Sequence, residues 1–485
     1  MRKRFEVQYE LGCTPIEDIK IPKKSRDELP PVLRALQHIY VTPSLNKAVF
    51  DILESKIVIS PMGRPGLSLW EVLVLGVVRL TLDTNYDRLE HISNYDILVR
   101  DLLGVSTFGS CGKRYPLQTL KDNVSLLTDE MLTEINELVA KEGHSLLKKK
   151  EKGLDVKVDT YAVESNVHFP TDLNLLLDAS RKCISFAVKI ISGSDISGWR
   201  KYKYWYRRIK RSYRLASKRA FRGGRNFESR LLASVHDYLN LANDLSQKIK
   251  SSKSDIESSA SISKSKLQKL EQLNYFEKQL DKHIDLITRR IIYKEKIPHI
   301  EKVFSLFEPY TEWINKGKSG NKIELGLNVS VCTDQYGFIL HHRILEKERD
   351  VNVAIVLADV LIDSYPIRSI SYDKGFWSKD NYKNLAPKVE NLIMPKKGRL
   401  NKEEYVREHS KQFKTLRNKH SAVESDINSL EHHGLNRCPD KSLEHFKRYV
   451  ALGVLSFNLH RLGNVLIEND RKNIKRKRHR KSKAA

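Results

Sequence analysis

Sheet-forming sequence occurs in two stretches of this chain, and a helical segment from about residue 181 to 318 lies between them. Before it, Val156 and Val158 alternate with polar residues into Asp159. After it, Leu325, Leu327, Val329 and Val331 share one face of a strand, and the TDQYG turn folds back at Phe338. A helix around Val353 to Ile362 then leads to a short strand, Ile367 to Tyr372, which runs into Asp373. Another strand, Leu392 to Met394, runs into a basic loop of Pro395, Lys396, Lys397 and Gly398. The order strand, insertion, hairpin, helix, strand, strand, helix describes a mixed α/β layer carrying a large helical insert.

The flanking segments complete the division. Residues 1–145 repeat apolar positions at steps of three and four in ELPPVLRALQHIY, SLNKAVFDILESKI, LSLWEVLVLGVVRLTLDT, YDRLEHISNYDILVRDLLGV and LTDEMLTEINELVAKEG, an all-helical pattern. GRPGLS sets a turn and a Ser68 N-cap ahead of the third helix. Residues 146–180 hold the first strand and a helical turn from Leu173 to Ala179, and 319–468 hold the rest of the α/β layer. Inside 181–318, after a serine-dense stretch from Ser251 to Ser265, Leu267, Leu270, Leu273, Phe276, Leu280, Ile284, Ile287 and Ile291 form a seam against a partner such as Leu231 to Ile249. That segment reads as an antiparallel helical arm, and 469–485 as a disordered basic tail.

The formal net charge is +26, and it is local. Trp199 to Arg225 contains 12 Lys or Arg and no acid, and Arg471 to Lys483 contains 9. Such runs attract polyphosphate in a salt-sensitive way. In the first run Trp199, Tyr202, Tyr204, Trp205, Tyr206, Tyr213 and Phe221 interleave with the cations, so the rings either stack on unpaired bases or form the buried stripe of a solvated helix. Cys13, Cys111, Cys183, Cys332 and Cys438 make no metal-ligand spacing, and their odd number argues against a disulfide framework, leaving reduced thiols. The longest apolar run, about Val72 to Val78, is far short of the roughly 20 residues that span a bilayer, and a soluble cytoplasmic protein is expected.

Three separated acids carry the chemistry. Asp159 and Asp373 follow apolar strands that can be neighbours, in a layer whose strand ends gather ligand groups. Two close carboxylates repel, and magnesium or manganese resolves the conflict. Farther on, Phe413, Leu416, Val423, Ile427 and Leu430 form a helical seam with Glu424 on its flank, and Arg417, His420 and Glu431 lie on nearly the same strip. Each acid alone has an ordinary role as a turn, cap or solvated residue, and Glu164, Asp172, Asp178, Asp334 and Asp380 compete with them. Together the three can hold two divalent cations that clamp the attacking and leaving oxygens of a phosphodiester.

These segments resemble the insertion-sequence DDE transposases of the ISNCY group, bacterial transposases with an RNase H-like catalytic domain and an InsH-type helical N-terminal domain. GRPGLSLWEVLVLGVVRL and NYDRLEHISNYDILVRDLLGV are similar to that N-terminal domain. VKVDTYAVESNVHFPTDLNLLLDASRK resembles the first-Asp segment, YDKGFWSKDN the second, and VESDINSLEHHGLNRC with RYVALGVLSFNLHRLG the Glu-bearing helix and its successor. The resemblance implies that Asp159, Asp373 and Glu424 are catalytic ligands of two Mg²⁺ or Mn²⁺ ions. It also implies that the partners are double-stranded DNA, as terminal inverted repeats and target, and further copies in a homodimer or larger synaptic assembly. Around Glu424 the Tyr, Arg and Lys of related elements are replaced by Arg417, His420 and Glu431. Arg200, Lys201, Lys203, Arg207, Arg208 and Arg211, with Lys396, Lys397, Arg417 and His420, are the expected DNA contacts. The rival readings are a non-catalytic nucleic-acid-binding protein and a standalone nuclease on the same fold.

Overall fold

A computed structural model of the chain describes residues 13–57, 66–106, 112–147, 152–192, 198–221, 223–257, 264–315 and 323–484. Gly63 to Pro65 of the first turn, Cys111, Arg222 and residues 258–263 of the serine-dense stretch lie outside them. Seven helices come first among the described residues: α1 (Leu29–Val41), α2 (Pro43–Lys56), α3 (Leu69–Thr81), α4 (Tyr86–Tyr95), α5 (Ile97–Leu102), α6 (Leu117–Val124) and α7 (Asp129–Leu146). Next are β1 (Leu154–Ser165) and the helices α8 (Asp172–Ile191), α9 (Tyr202–Ala220), α10 (Phe227–Glu257) and α11 (Lys264–Ile287). Strands β2 (Glu312–Asn315), β3 (Ile323–Thr333) and β4 (Ile339–Leu345) precede α12 (Asp350–Ser364), β5 (Ile367–Tyr372), α13 (Lys379–Leu385) and β6 (Asn391–Ile393). The chain continues through α14 (Lys402–His409), α15 (Lys411–His420), α16 (Ala422–Leu430), β7 (Arg437–Cys438) and α17 (Leu443–Ala484).

The described residues up to Asn166 and from Glu312 onward form one compact unit, and Val167–Thr311 form a second. In the first, the sheet is ordered β4, β3, β1, β5, β6, with β2 beside the start of β3 and β7 beside the end of β1. β3 runs antiparallel to β1, and β5 and β6 run parallel to it. The hairpin joining β3 to β4 falls where the sequence places it. Asp334 Oδ1 accepts from the backbone N–H groups of Tyr336 at 2.8 Å and Phe338 at 2.9 Å. Gly337 takes φ +77°, a conformation that favours glycine. α12 covers one face of the sheet, where the Tyr372 hydroxyl donates to the Ala354 carbonyl at 2.8 Å. α15 and α16 lie on the other face.

The N-terminal helices do not form a domain of their own, contrary to the division at residue 145. α17 packs against α1, α3 and α7, because its apolar residues from Phe446 to Leu462 are almost wholly buried. Buried polar pairs fix that arrangement. Asn458 donates to Asn136 Oδ1 at 2.7 Å and to the Ile339 carbonyl at 2.8 Å, and accepts from Ile339 N at 2.9 Å, joining α17, α7 and β4. Arg79, 1% exposed, makes two bonds to Asp440 at 2.7 and 2.9 Å and lies 4.0 Å from the Tyr86 ring centre. Gly463 lets α17 touch α1, since a Cβ there would run into the Pro31 carbonyl. α3 begins at Ser68 as expected: Ser68 Oγ accepts from Glu71 N at 3.3 Å and Glu71 Oε2 accepts from Ser68 N at 2.8 Å.

α17 also corrects the expected disordered tail, for its backbone stays helical through Ala484. Lys and Arg are good helix formers, and a preformed buried helix removes the cost of nucleation. Its Leu443–Arg476 portion is the one helix among the described residues long and apolar enough by composition to cross a membrane. Of its most apolar window 78% is buried inside the protein, as a core helix is. Of the described cysteines, Cys183, Cys332 and Cys438 are buried and Cys13 is half-buried, and none of them is in a disulfide with another described cysteine.

The second unit starts earlier in the chain than the insertion boundary at 181, because α8 belongs to it. α8 lies along α11 and packs on α9 and α10, with Leu176, Ala179, Cys183 and Ala187 meeting Leu273, Phe276, Leu280 and Ile287 in one core. The expected seam is present, since Val235, Tyr238, Leu239, Ala242, Leu245 and Ile249 of α10 enter the same core. Leu267 is exposed.

Candidate functional site

The site grows out of the pairing of β1 with β5. In that parallel register Lys157 pairs with Ser371 and Val158 with Tyr372, so the next residues along, Asp159 and Asp373, come side by side. Asp373 follows the end of its strand as the sequence suggests. Asp159 does not: it sits in the middle of β1, which continues to Ser165 because β3 goes on pairing with it antiparallel, Asp159 opposite Val331 and Glu164 opposite Gly326. Alternation puts Asp155, Lys157 and Asp159 on the face covered by α15 and α16. Asp155 is spent on structure, accepting from Arg368 at 2.5 and 2.9 Å and from Ser369 at 2.7 Å.

The helix proposed for Glu424 is two helices. α15 ends at His420, Ser421 keeps helical dihedrals at the junction, and α16 begins at Ala422, so His420 and Glu424 remain near enough for their charges to act on each other. Phe413, Val423 and Leu430 are buried, and they hold both pieces down. Glu424 itself is solvent-exposed on α16, and Asp373 is also exposed, while Asp159 is half-buried at the floor. Glu431 lies in the wide turn after α16.

The acids act on one another. The Asp159 carboxyl is pushed up from 3.8 to about 6, chiefly by burial, with Asp373, Asp350 and Glu424 adding to the rise and a bond from Thr160 N at 2.7 Å opposing it. Burial and Asp373 likewise raise Asp350, against the Thr160 hydroxyl. Lys157, two residues from Asp159, pairs instead with Asp426 at 3.8 Å. Among the described residues neither Asp159, Asp373 nor Glu424 is in an ion pair. No three His, Cys, Asp or Glu side chains among them are gathered closely enough to form a ready-made cage for an ion.

Asp350 is the acid that sequence reasoning missed. It opens α12, and a Cβ on Gly375 would come within 2.9 Å of its carboxylate, which places it beside the turn that follows Asp373. Its only sequence signal is an acid at a helix start immediately after a strand, which any N-terminal helix acid shares. His420 was singled out and does face the site. Its Nδ1 is 3.0 Å from Ser371 Oγ, its buried Nε2 has no hydrogen-bond partner among the described residues, and burial lowers its pKa although Asp373 and Glu424 oppose this.

The expected DNA contacts divide. Arg417 and Lys397 are exposed. Lys396 is engaged, its Nζ 2.6 Å from Glu404 and 5.4 Å from the Trp377 ring centre. In the second unit, Arg200, Lys201, Lys203, Arg207, Arg208 and Arg211 are all exposed along α9 and the turn before it. The rings among them mostly pack inward. Trp199 is 5% exposed and its indole N–H donates to Ser252 Oγ at 2.9 Å, and Tyr202, Trp205, Tyr206 and Tyr213 lean on the core. Tyr204 and Phe221 are the exposed ones. Comparison with family models, curated proteins and solved structures finds no match to this chain.

Proposed function

We propose that this chain is a DDE-type DNA transposase with an RNase H-like catalytic domain, which binds the terminal inverted repeats of its element, cleaves the DNA ends and joins them to target DNA. The observation that carries the proposal is the gathering of acids around Asp159: a half-buried carboxylate with no basic partner among the described residues, raised by burial and further by Asp373, Asp350 and Glu424. Three antiparallel strands, β4, β3 and β1, followed by two parallel ones, β5 and β6, with the first acid on the central strand, are in keeping with an RNase H-like layer. The strongly basic chain supports DNA as substrate.

The donor set fits magnesium or manganese. It is all carboxylate oxygen, and crowding that disfavours ionisation of Asp159 is the condition a bound divalent cation relieves. Asp159, Asp373 and Glu424 would hold two such ions, which when bound polarise the phosphodiester and acidify an attacking water. Around them the protein supplies position. His420 packs its ring beside the acids, Nδ1 3.0 Å from Ser371 Oγ, and burial, against the pull of Asp373 and Glu424, favours its neutral form. Arg417 and Lys397 lie exposed to steady the backbone.

The test uses the full chain with magnesium and DNA bearing the ends of its own element. Asp159→Asn, Asp373→Asn and Glu424→Gln should each abolish nicking and leave repeat binding nearly unchanged, and cleavage at the native level by any of them would refute the assignment. Cleavage without joining would favour a nuclease, and binding without cleavage by the native chain a DNA-binding protein.

A further inference from the structure

A cleft of about 530 Å³ opens between α8 and α9, wholly inside the second unit. Arg181, Ile184, Ser185, Val188 and Lys189 line it from α8 at steps of one, three and four. Tyr202, Lys203, Tyr206 and Arg207 line it from α9 as two pairs four apart, so each helix turns one continuous stripe toward the cleft. The floor is apolar and aromatic, and the cationic residues of the lining are Arg181, Lys189, Lys203 and Arg207, with no acid among the lining residues. Arg181 is paired with Asp178 at 3.2 Å. Lys189, Lys203 and Arg207 have no acidic partner among the described residues. Tyr202 and Tyr206 are half-buried against the core, so their rings are held in place before anything binds.

We propose that this cleft binds single-stranded nucleic acid, with an unstacked base against Tyr202 and Tyr206 and its flanking phosphates on Lys189, Lys203 and Arg207. Charge complementarity selects a polyanion, and the aromatic floor selects one whose base faces are free. In a duplex those faces are stacked on neighbours, whereas a single strand offers them and gains from aromatic platforms flanked by cations. The volume lies within the range of small-ligand sites, which suits one nucleotide rather than a double helix. Every residue used belongs to the second unit, so the proposal does not depend on the carboxylate site.

The experiment measures affinity of the full chain for a labelled oligothymidine and for a duplex of equal length across a salt series. Tyr206→Leu should weaken single-strand binding roughly tenfold or more, the loss of one stacked base, while Tyr206→Phe keeps native affinity and duplex binding is unchanged in both. Lys203→Ala with Arg207→Ala should lower the single-strand salt slope by about 1.4, two phosphates at about 0.7 each. If Tyr206→Leu leaves single-strand affinity unaltered, or weakens the duplex equally, the cleft is not a base site and the proposal fails. Should that variant not fold, a 2-aminopurine placed in the oligomer reports on the native chain: a fluorescence change on binding supports an unstacked base, and an unchanged signal overturns it.

Discussion

Asp159→Asn removes a charge that the fold holds against its preference, and the consequence for stability can be worked out. In the native chain the carboxyl pKa is raised from 3.8 to about 6 by burial and by three neighbouring acids. At 1.36 kcal/mol per pH unit, that displacement corresponds to about 3 kcal/mol against the ionised form. The sign follows from proton binding. Below pH 3.8 the folded and unfolded chains both hold the proton and the site is neutral to stability. Between 3.8 and about 6 the folded chain keeps a proton the unfolded chain releases, so stability falls as pH rises, and above about 6 the full penalty is in place. Asn keeps the acceptor for Thr160 N and carries no charge. In chelator, the variant should therefore match the native protein near pH 4 and exceed it by up to about 3 kcal/mol at pH 7.5. Urea unfolding at a series of pH values reads the difference directly. Added magnesium should raise the stability of the native chain and leave the variant nearly unmoved. A variant no more stable than the native chain at pH 7.5, or a difference that does not grow between pH 4 and 6, would refute the argument that burial and the neighbouring acids disfavour the Asp159 charge.

Arg79→Met leaves the half-buried Asp440 with only Arg448, 3.6 Å away, in place of its bidentate partner and should cost about 2–4 kcal/mol in equilibrium unfolding; a loss below about 1 kcal/mol would show that the pair is not holding α3 to the loop before α17. Gly463→Val forces α17 away from the Pro31 carbonyl and should lower the melting temperature by several degrees, whereas an unchanged melting temperature would mean that α1 yields freely. Lys397→Ala should reduce the salt slope of DNA binding by about 0.9, one phosphate contact, and Lys396→Ala should reduce it less because that ammonium already pairs with Glu404. Equal slopes for the two would contradict that division.

Much of the sheet was legible because alternation reports a strand directly. The hairpin at Asp334, the strand into Asp373 and the capped start of α3 all rest on local chemistry: an Asx turn with glycine at positive φ, a short stretch with Ile367, Ile370 and Tyr372, a Ser and Glu three apart. What was hidden depends on partners far along the chain. β1 outlasts Asp159 because β3, more than 150 residues later, still pairs with it through Glu164. The break at Ser421 leaves helical spacing nearly intact on both sides, so periodicity runs through it. α8 looks like the helix of a strand-helix unit, and only its packing on α11 reveals that it serves the other core. Asp350 lacks any distinguishing neighbour, and becomes part of the site only when β5 delivers Asp373 beside it.

The route of α17 has a consequence for biosynthesis. α1, α3 and α7 face their apolar partner only after residues beyond 443 have left the ribosome, and Arg79 waits through several hundred residues for Asp440. The amino-terminal helices therefore lack that partner until α17 has been made, and the contact of α17 with β4 is added to the sheet only then. A chain that stops short of α17 leaves the apolar faces of α1, α3 and α7 uncovered and open to proteolysis.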